Sequence, residues 1–225
     1  MGKVTIQSYT TKNPITMIGE MAGICYNADT DNPHKNYKRG IECLENEHGR
    51  TIEYPSVHLI LDGYSAKVIR EWYTHIGCLP SRLQESTRYV DYQHGFNYVT
   101  PSSISKSRDA LRIYASCMND IALALAQLDE LGVPREDSSM LLPLGMTTKI
   151  VDKRNLRNLI DMSHQRLCRR AYHEYRTLMM DICEALSEYS EEWEYLVKKY
   201  FVPKCIHCGY CNEKKSCGLM PKKEK

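Results

Sequence analysis

Two polar segments carry residues whose types and spacing could do chemistry, and the first is a loop near the middle of the chain. In this loop Arg82 and Arg88 stand on either side of Ser86 and Thr87. Guanidinium groups, hydroxyls and backbone N–H groups are the donors that bind a phosphate ester. The loop therefore indicates an anion site, although on these four residues alone a solvated surface loop is the simpler explanation.

The second segment is a predicted helix that carries Asn155 and Arg166. At about 100° per residue, these two positions lie within about 20° of each other on one face of a helix. A buried face with an amide and a guanidinium needs a ligand or a polar partner. The alternative is a solvated outer face on which Arg170 pairs with Glu174. The residues alone leave both interpretations open.

A cluster of cysteines lies near the C-terminus. Cys205, Cys208, Cys211 and Cys217 follow the pattern C-x2-C-x2-C-x5-C, which places four thiols within 13 residues. Four thiolates can surround one tetrahedral Zn²⁺, so the spacing predicts a structural zinc site. Reduced or disulfide-bonded thiols are an equal alternative. An iron–sulfur run is also similar, but the Cys-Pro that would follow it is missing.

The elements that must position these residues are mostly helices. Apolar residues at helical spacing and Ser or Asn at helix starts define them, and short β-rich runs define the strands. We predict strands at residues 3–9, 56–61 and 89–98, and helices at 13–26, 41–47, 65–76, 107–131, 153–187 with breaks, and 191–200. Residues 27–38 and 77–88 are predicted as loops. The pattern indicates a helix-rich α+β protein.

Composition narrows the class of function. The 225 residues are 42% hydrophobic and 26% charged, with a net charge of +2, as in ordinary globular proteins. The mixed charges argue against a dedicated nucleic-acid-binding protein. Residues 1–30 do not have the pattern of a signal peptide, and no apolar run approaches the roughly 20 residues that span a bilayer. We therefore predict a cytoplasmic location without membrane attachment.

Several motifs follow one another along the chain in a recognisable order. They are residues 54–58, 70–76, 86–89, 132–136, 142–144 and 155–159, and Arg166 followed by residues 171–174. In this order and spacing they resemble the flavin-dependent thymidylate synthase family over residues 8–186. The resemblance implies that family's fold, a helix-rich single domain with a central, mostly antiparallel sheet. It predicts an enzyme domain at residues 1–202 and a Cys-rich tail at residues 203–225.

The resemblance also implies an activity and its reactants. Members of this family methylate dUMP at C5 to give dTMP, so we expect a methyltransferase of nucleotide biosynthesis. FAD is the implied cofactor, 5,10-methylenetetrahydrofolate the carbon donor, and NADPH the reductant of the flavin. The implied assembly is a homotetramer whose FAD sites are shared between subunits, with no nucleic-acid partner.

Site residues follow from the matched positions. The implied catalytic residue is Arg166, whose fixed cation would stabilise negative charge on the pyrimidine. The implied cofactor-binding residues are Tyr54, His58, Thr74, His75, Ile76, Gln84, Asn155, Leu156, Arg157 and Asp161. The implied substrate-binding residues are Glu71, Trp72, Tyr73, Thr74, Arg82, Gln84, Glu85, Ser86, Thr87, Arg88, Ser139 and Arg166.

The chain departs from the family pattern at several of these positions. Thr74 and Ile76 replace both arginines of an Arg-His-Arg motif, and Ser139 replaces an arginine that helps to hold the phosphate. Gln84 replaces a glutamate, and Asp161 replaces an asparagine at the flavin. The altered motif makes a dUMP hydroxymethylase the alternative function. A zinc-dependent nucleic-acid-binding protein is a weaker alternative, suggested by the tail.

Overall fold

A four-stranded antiparallel sheet is present among residues 2–223, which are the residues that the computed structural model describes. Its strands are β1 (Lys3–Ile6), β2 (Ser56–Ser65), β3 (Ser81–Gln84) and β4 (Thr147–Asn155). Their order in the sheet is β1-β2-β4-β3. The predicted class, a helix-rich α+β fold with a central antiparallel sheet, is confirmed.

Helices make up most of the remaining regular structure. They are α1 (Pro14–Cys25), α2 (Pro33–Glu45), α3 (Ala66–Trp72), α4 (Ser102–Ser105), α5 (Arg108–Glu130), α6 (Arg135–Ser138), α7 (Leu156–Arg166), α8 (His173–Tyr189), α9 (Glu191–Tyr200) and α10 (Lys204–Cys208). Short 3₁₀ turns occupy Thr51–Glu53 and Ser139–Leu141. The predictions of α1, α3, α5 and α9 are confirmed to within about two residues at most ends.

Strand β4 corrects the prediction of a helix that starts near residue 153. Its side chains alternate between exposed and buried, and the buried set is Thr148, Ile150, Asp152 and Arg154. Three of these four residues are polar, so the strand lacks the apolar alternation that signals a half-buried strand. The polar character of the buried positions therefore concealed the strand.

Three further predictions were wrong. Strand β3 (Ser81–Gln84) lies inside the stretch 77–88 that was predicted as a loop. Helix α2 begins at Pro33, inside the stretch predicted as a loop, and the Asn32 side chain caps it by accepting a hydrogen bond from the Lys35 N–H. The predicted strand at residues 89–98 is largely turns, with a single bridge between Tyr98 and Met146. In those turns the Asp91 carboxylate accepts from the Gln93 N–H at 2.9 Å, a local bond that competes with strand pairing.

Backbone contacts divide the chain into two units. Unit 1 consists of Leu61–Thr74 and Leu83–Ile150, together with the N-terminal residues through Lys3. Its longest element, α5, starts at a Ser107 cap that accepts from the Ala110 N–H. Only Met118 and Leu125 of this helix are buried, and its other side chains are half-buried or exposed in the described part of the chain.

Unit 2 consists of Val4–Ile60, His75–Arg82 and Val151–Lys225. Its first two helices pack backbone to backbone, because a Cβ added to Gly19 would lie only 1.8 Å from the Asn36 carbonyl oxygen. The start of α1 is capped from a distance by Glu192, whose carboxylate accepts from the Ile15 N–H at 2.6 Å and the Thr16 N–H at 3.0 Å. Buried charge at a helix N-terminus is stabilised by the exposed N–H groups.

Candidate active site

The contact between Arg166 and His75 is the central feature of unit 2. The Arg166 Nε–H donates to Nε2 of His75 at 3.1 Å, across 91 positions of sequence. The guanidinium also lies 4.2 Å from the centroid of the Tyr175 ring, as a cation–π contact, and the His75 ring meets the same tyrosine edge-on. The Arg166 side chain is thus oriented by two rings that also contact each other.

The protonation state of His75 follows from its surroundings. Burial lowers the pKa of His75 from 6.5 to about 4, and the positive charges of Arg166 and then Arg154 act in the same direction. At neutral pH the imidazole is therefore uncharged, and its Nε2 lone pair can accept from arginine. The positive charge of this pair is located on Arg166.

Helix α7 sets the position of Arg166. It begins with Asn155, whose side chain accepts from the Asn158 N–H at 2.9 Å, and Arg166 lies in its last turn. The loop that carries His75 passes close to this helix, since a Cβ on Gly77 would lie 3.0 Å from Nδ2 of Asn158. Asn155 thus has a structural role as helix cap besides its predicted contact with a cofactor.

A buried ion pair on strand β4 contacts the first turn of helix α7. Arg154 and Asp152 of β4 are both fully buried and joined at 2.6 Å, and Arg154 Nη1 also donates to Oδ1 of Asn158 at 2.6 Å. Sequence reasoning missed Arg154 and Tyr175 as supports of the site. A signal was available only for Tyr175, since it adjoins the 171–174 motif, whereas nothing in the sequence marks Arg154 as buried.

The predicted flavin-contacting residues of α7 line a cavity in unit 2. Arg157 and Asp161 border a cavity of about 420 Å³ together with Lys199 and His207. Arg157 also pairs with Glu53 at 2.7 Å. Cations and apolar surface suit a ligand with phosphates and an aromatic ring, whereas the three carboxylates of the lining, Glu45, Glu47 and Asp161, do not suit phosphate. The residues present therefore fit only part of an FAD molecule.

The other predicted residues of unit 2 have different environments. Leu156 is fully buried in the core, whereas Tyr54 and Ile76 are more than half exposed. His58 lies on β2, and burial, then the nearby charge of Lys153, lowers its pKa below the usual 6.5. Arg82 is half-buried in β3. The structure thus brings together Arg166, His75 and the start of α7.

In unit 1, the predicted nucleotide-binding residues begin at the end of α3. Trp72 is fully buried and anchors the helix, while Glu71 and Tyr73 on either side are half-buried. The Thr74 hydroxyl donates to the Glu71 carbonyl at 2.7 Å and is exposed. Burial of the tryptophan fixes the direction in which its two neighbours project.

The loop after β3 forms a tight turn within unit 1. The Glu85 N–H donates to the Lys149 carbonyl at 2.9 Å, and Gln84 donates to the Thr148 hydroxyl at 3.3 Å, so β4 fixes where the loop starts. The Ser86 hydroxyl then accepts from the Arg88 N–H at 3.3 Å. Thr87 lies between these two residues and is half-buried.

Two ion pairs join this loop to the segment around α6. Arg88 Nε lies 3.2 Å from a Glu136 carboxylate oxygen, and Arg135 lies 2.9 Å from Asp91. Ser139 is three residues beyond Glu136 and donates from its hydroxyl to that residue's carbonyl at 3.1 Å. Ser139 and Arg88 therefore belong to the same neighbourhood, as their predicted role at one phosphate requires.

The four tail cysteines do not form a metal site as their side chains stand. Among residues 2–223, no group of three or more His, Cys, Asp or Glu side chains is arranged to hold a metal ion. Three of the cysteines, Cys205, Cys211 and Cys217, line one cavity, and Cys208 is not among the residues that line it. The same described residues include no helix that is long and apolar enough to cross a membrane.

Comparison with known proteins gives the family. The model of the thymidylate synthase complementing protein family (Thy1) matches residues 5–190, which is more than four fifths of the chain and includes every predicted site residue outside the cysteine tail. The chain belongs to this family. The resemblance described from the sequence motifs is thereby confirmed.

Named enzymes of similar length are related to this chain over nearly all of its residues. The flavin-dependent thymidylate synthase of Pyrococcus furiosus is 27% identical over 231 residues, which cover 98% of this chain and 92% of the relative. That of Clostridium tetani is 29% identical over 241 residues, which cover 96% and 93%. The Thy1 match and these relatives agree on one family across nearly the whole chain.

Two solved structures share the fold. The UMP/dUMP methylase PolB from Streptomyces cacaoi, bound with 5-Br dUMP, gives a TM-score of 0.73 at 14% identity and covers 90% of this chain and 97% of its own. Thymidylate synthase X from Helicobacter pylori, with FAD and dUMP, gives 0.65 at 17% identity and covers 88% and 100%. At these identities the likeness shows the fold of the family member.

Proposed function

We propose that the chain is an FAD-dependent methyltransferase that converts dUMP to dTMP, with 5,10-methylenetetrahydrofolate as the carbon donor. Membership of the Thy1 family and the names of its relatives support the reaction. When bound, the flavin, reduced by NADPH, supplies the hydride that completes the methyl group. The observation that carries the proposal is the Arg166 guanidinium held between His75 and Tyr175.

Arg166 is suited to stabilise an anionic pyrimidine. Transfer of carbon to C5 without a covalent thiol requires negative charge to build up on the ring, and a fixed cation beside N3 and O2 lowers that barrier. Arginine stays charged at any working pH. His75 is neutral and accepts a hydrogen bond from the Arg166 Nε–H. This contact fixes the orientation of the planar guanidinium group.

Ser86, Thr87 and Arg88 are proposed to bind the nucleotide phosphate. Arg88 is paired with Glu136 in an exposed ion pair, and such pairs are weak. A phosphate can therefore displace the Glu136 carboxylate and bind the Arg88 guanidinium through a stronger, bidentate contact. Arg82, in the segment that precedes the turn, is proposed to replace the charge lost at Ser139. These roles predict that Arg88→Met weakens dUMP binding more than it changes turnover.

Arg157 and Asp161 are proposed to hold part of the FAD in the cavity of about 420 Å³ that they line. Arg157 offers a cation to the diphosphate, and its partner Glu53 fixes its direction. Asn155 and His75 complete the set on the same side of unit 2. Tyr54, His58, Thr74, Ile76 and Gln84 keep their proposed cofactor roles from the family match.

A homotetramer with FAD sites shared between subunits is part of the proposal. Helix α5 supports it, because Leu111, Ile113 and Leu123 of this helix are 40%, 64% and 62% exposed. Exposed apolar side chains along one long helix are typical of a subunit interface. Leu123→Glu is expected to shift the assembly to a smaller species in light scattering, and an unchanged assembly size would contradict this interface.

Two variations on the reaction have specific support. The altered Arg-His-Arg motif has Thr74 and Ile76 in place of the arginines and favours a dUMP hydroxymethylase. In that reaction the carbon transferred to C5 is hydrated instead of reduced. The fold shared with PolB, whose substrates are UMP and dUMP, makes UMP a second substrate to test. A cytoplasmic location, and a structural zinc in the tail that takes no part in the reaction, remain separate proposals.

The deciding experiment is an anaerobic turnover assay with FAD, NADPH, methylenetetrahydrofolate and either dUMP or UMP, with product masses read by mass spectrometry. A methylated deoxynucleotide that disappears in Arg166→Met and persists in Arg169→Met supports the proposal, because Arg169 is an exposed arginine three residues away. A hydroxymethylated product supports the alternative. Unchanged nucleotide with FAD bound would refute both.

A further inference from the structure

A cavity in unit 2 is lined by several cysteines, and one of them, Cys168, is not part of the spacing motif. The cavity measures about 370 Å³, and its lining includes Cys168, Cys205, Cys211 and Cys217. Cys208, the second cysteine of the motif, is not among the lining residues. The four thiols come from two places in the chain, one from the segment after α7 and three from the C-terminal tail.

The fold of the tail explains which thiols meet. Helix α10 carries Cys205 in its first turn and ends at Gly209, whose φ of +80° turns the chain back. The returning tail then pairs with itself, since the Cys211 N–H donates to the Pro221 carbonyl at 2.7 Å. Cys211 is buried as a result. Cys208, in the last turn of α10, stays outside this fold.

Arg170 fastens the tail to the segment that carries Cys168. Its Nη1 lies 2.9 Å from a Glu213 carboxylate oxygen and donates to the Lys215 carbonyl at 3.0 Å. Both acceptors lie in the stretch between Cys211 and Cys217. Because Arg170 is two residues from Cys168, this contact brings the tail thiols beside that cysteine.

Thiols that line one partly enclosed cavity can bind a soft divalent cation together. The cation neutralises the thiolates and releases their protons on binding.

We propose that Cys168, Cys205, Cys211 and Cys217 bind one structural Zn²⁺. Four sulfur ligands leave no open coordination position, so the ion would be structural and not catalytic. Among residues 2–223 no such group is closed around a metal as the side chains stand, so the thiols must converge into the cavity when Zn²⁺ enters. The ion would fasten the tail to the segment that directly follows Arg166.

The proposed ligand set has Cys168 where the spacing motif has Cys208, and the experiment tests this difference. Protein expressed in zinc-supplemented medium, and protein reconstituted anaerobically with ZnCl₂, is analysed by plasma mass spectrometry. We expect one zinc per chain in the wild type, loss of zinc in Cys168→Ser, and retention in the matched variant Cys208→Ser. Zinc lost from Cys208→Ser and kept by Cys168→Ser would overturn the proposal in favour of the motif.

A second measurement avoids reliance on folding of the variants. The zinc-loaded wild type is alkylated with iodoacetamide before and after chelation, and labelled peptides are identified by mass. Protection of Cys168, Cys205, Cys211 and Cys217, with Cys208 labelled, supports the site. A zinc-free wild type, labelling of Cys168 in the zinc-loaded protein, or iron with acid-labile sulfide in place of zinc would each overturn it. Neither readout depends on turnover of dUMP.

Discussion

Replacement of Arg166 by methionine is expected to raise the pKa of His75 without restoring its ordinary value. Methionine keeps an unbranched apolar stem but removes the charge and the hydrogen bond to Nε2. Coulomb's law at the dielectric constant of water gives about 1.3 kcal/mol between two unit charges at this distance, or about one pKa unit. This is a lower bound, because the pair is partly buried.

The expected midpoint therefore moves from about 4 to about 5 or slightly above. It stays below 6.5 because burial, the largest cause of the shift, is unchanged by the substitution. The measurement is an NMR titration of the histidine Cε1–H signals in the FAD-free protein. His58 serves as the internal control, since its pKa is lowered by burial and Lys153 and should not change.

Either of two results would refute the reasoning. A wild-type His75 that titrates near 6.5 would mean that the imidazole is neither buried nor held by arginine. A midpoint that stays near 4 in Arg166→Met would show that the guanidinium contributes nothing, and that its contact with Nε2 is absent in solution. In both cases the argument that a neutral His75 orients the Arg166 cation would fail.

Three other predictions concern stability. The pKa of His75 is lower in the folded protein than in the unfolded chain, so the unfolded chain binds a proton first as pH falls. The contribution of His75 to stability is therefore present above pH 6.5 and is lost as pH falls from about 6.5 to 4. In His75→Gln the urea-unfolding midpoint should depend less on pH across this window. Arg154→Met, which removes the arginine partner of the buried Asp152 carboxylate, should cost about 3–5 kcal/mol in urea unfolding, whereas Lys149→Met at an exposed ion pair should change the urea midpoint little. Gly19→Ala should lower the free energy of unfolding by roughly 1–3 kcal/mol by overpacking, whereas Gly49→Ala, whose Cβ would meet only a movable arginine side chain at 3.2 Å, should be nearly neutral; equal effects would contradict the close helix contact.

Local patterns predicted those elements whose signals are local. Ser65 before an apolar helical repeat gave α3, and its side chain does accept from the Val68 N–H. Ser107 gave α5 in the same way. These caps and repeats act over three to four residues, so they can be identified in one sequence without knowledge of tertiary contacts.

The elements that were missed depend on distant contacts. Strand β4 buries Asp152 and Arg154, which form an ion pair, and Asn158 accepts a further hydrogen bond from the arginine. No periodicity in hydrophobicity reveals such a strand. Conversely, the β-rich composition around Tyr89 predicted a strand, but ion pairs and Asx turns hold that stretch in another conformation.

The candidate site shows the same limit. Spacing placed Asn155 and Arg166 on one helix face, but it could not pair Arg166 with His75, which lies 91 residues away. The family motifs named both residues without giving their contact. Likewise, spacing treats Cys208 like the other tail cysteines, because it cannot represent the turn at Gly209 that leaves Cys208 outside the lining of the cavity shared by Cys168, Cys205, Cys211 and Cys217.

The altered Thr74-His75-Ile76 motif is compatible with an intact catalytic arginine. The central histidine is the member whose Nε2 accepts from Arg166, and this residue is kept. Its neighbours face other surroundings: Thr74 is exposed and bonds locally to the Glu71 carbonyl, and Ile76 is 66% exposed. The absence of the two flanking arginines therefore removes charge from the motif but leaves the contact between His75 and Arg166 in place. If so, restoring arginine at either position should alter the affinity for FAD or dUMP and leave the titration of His75 within a few tenths of a unit.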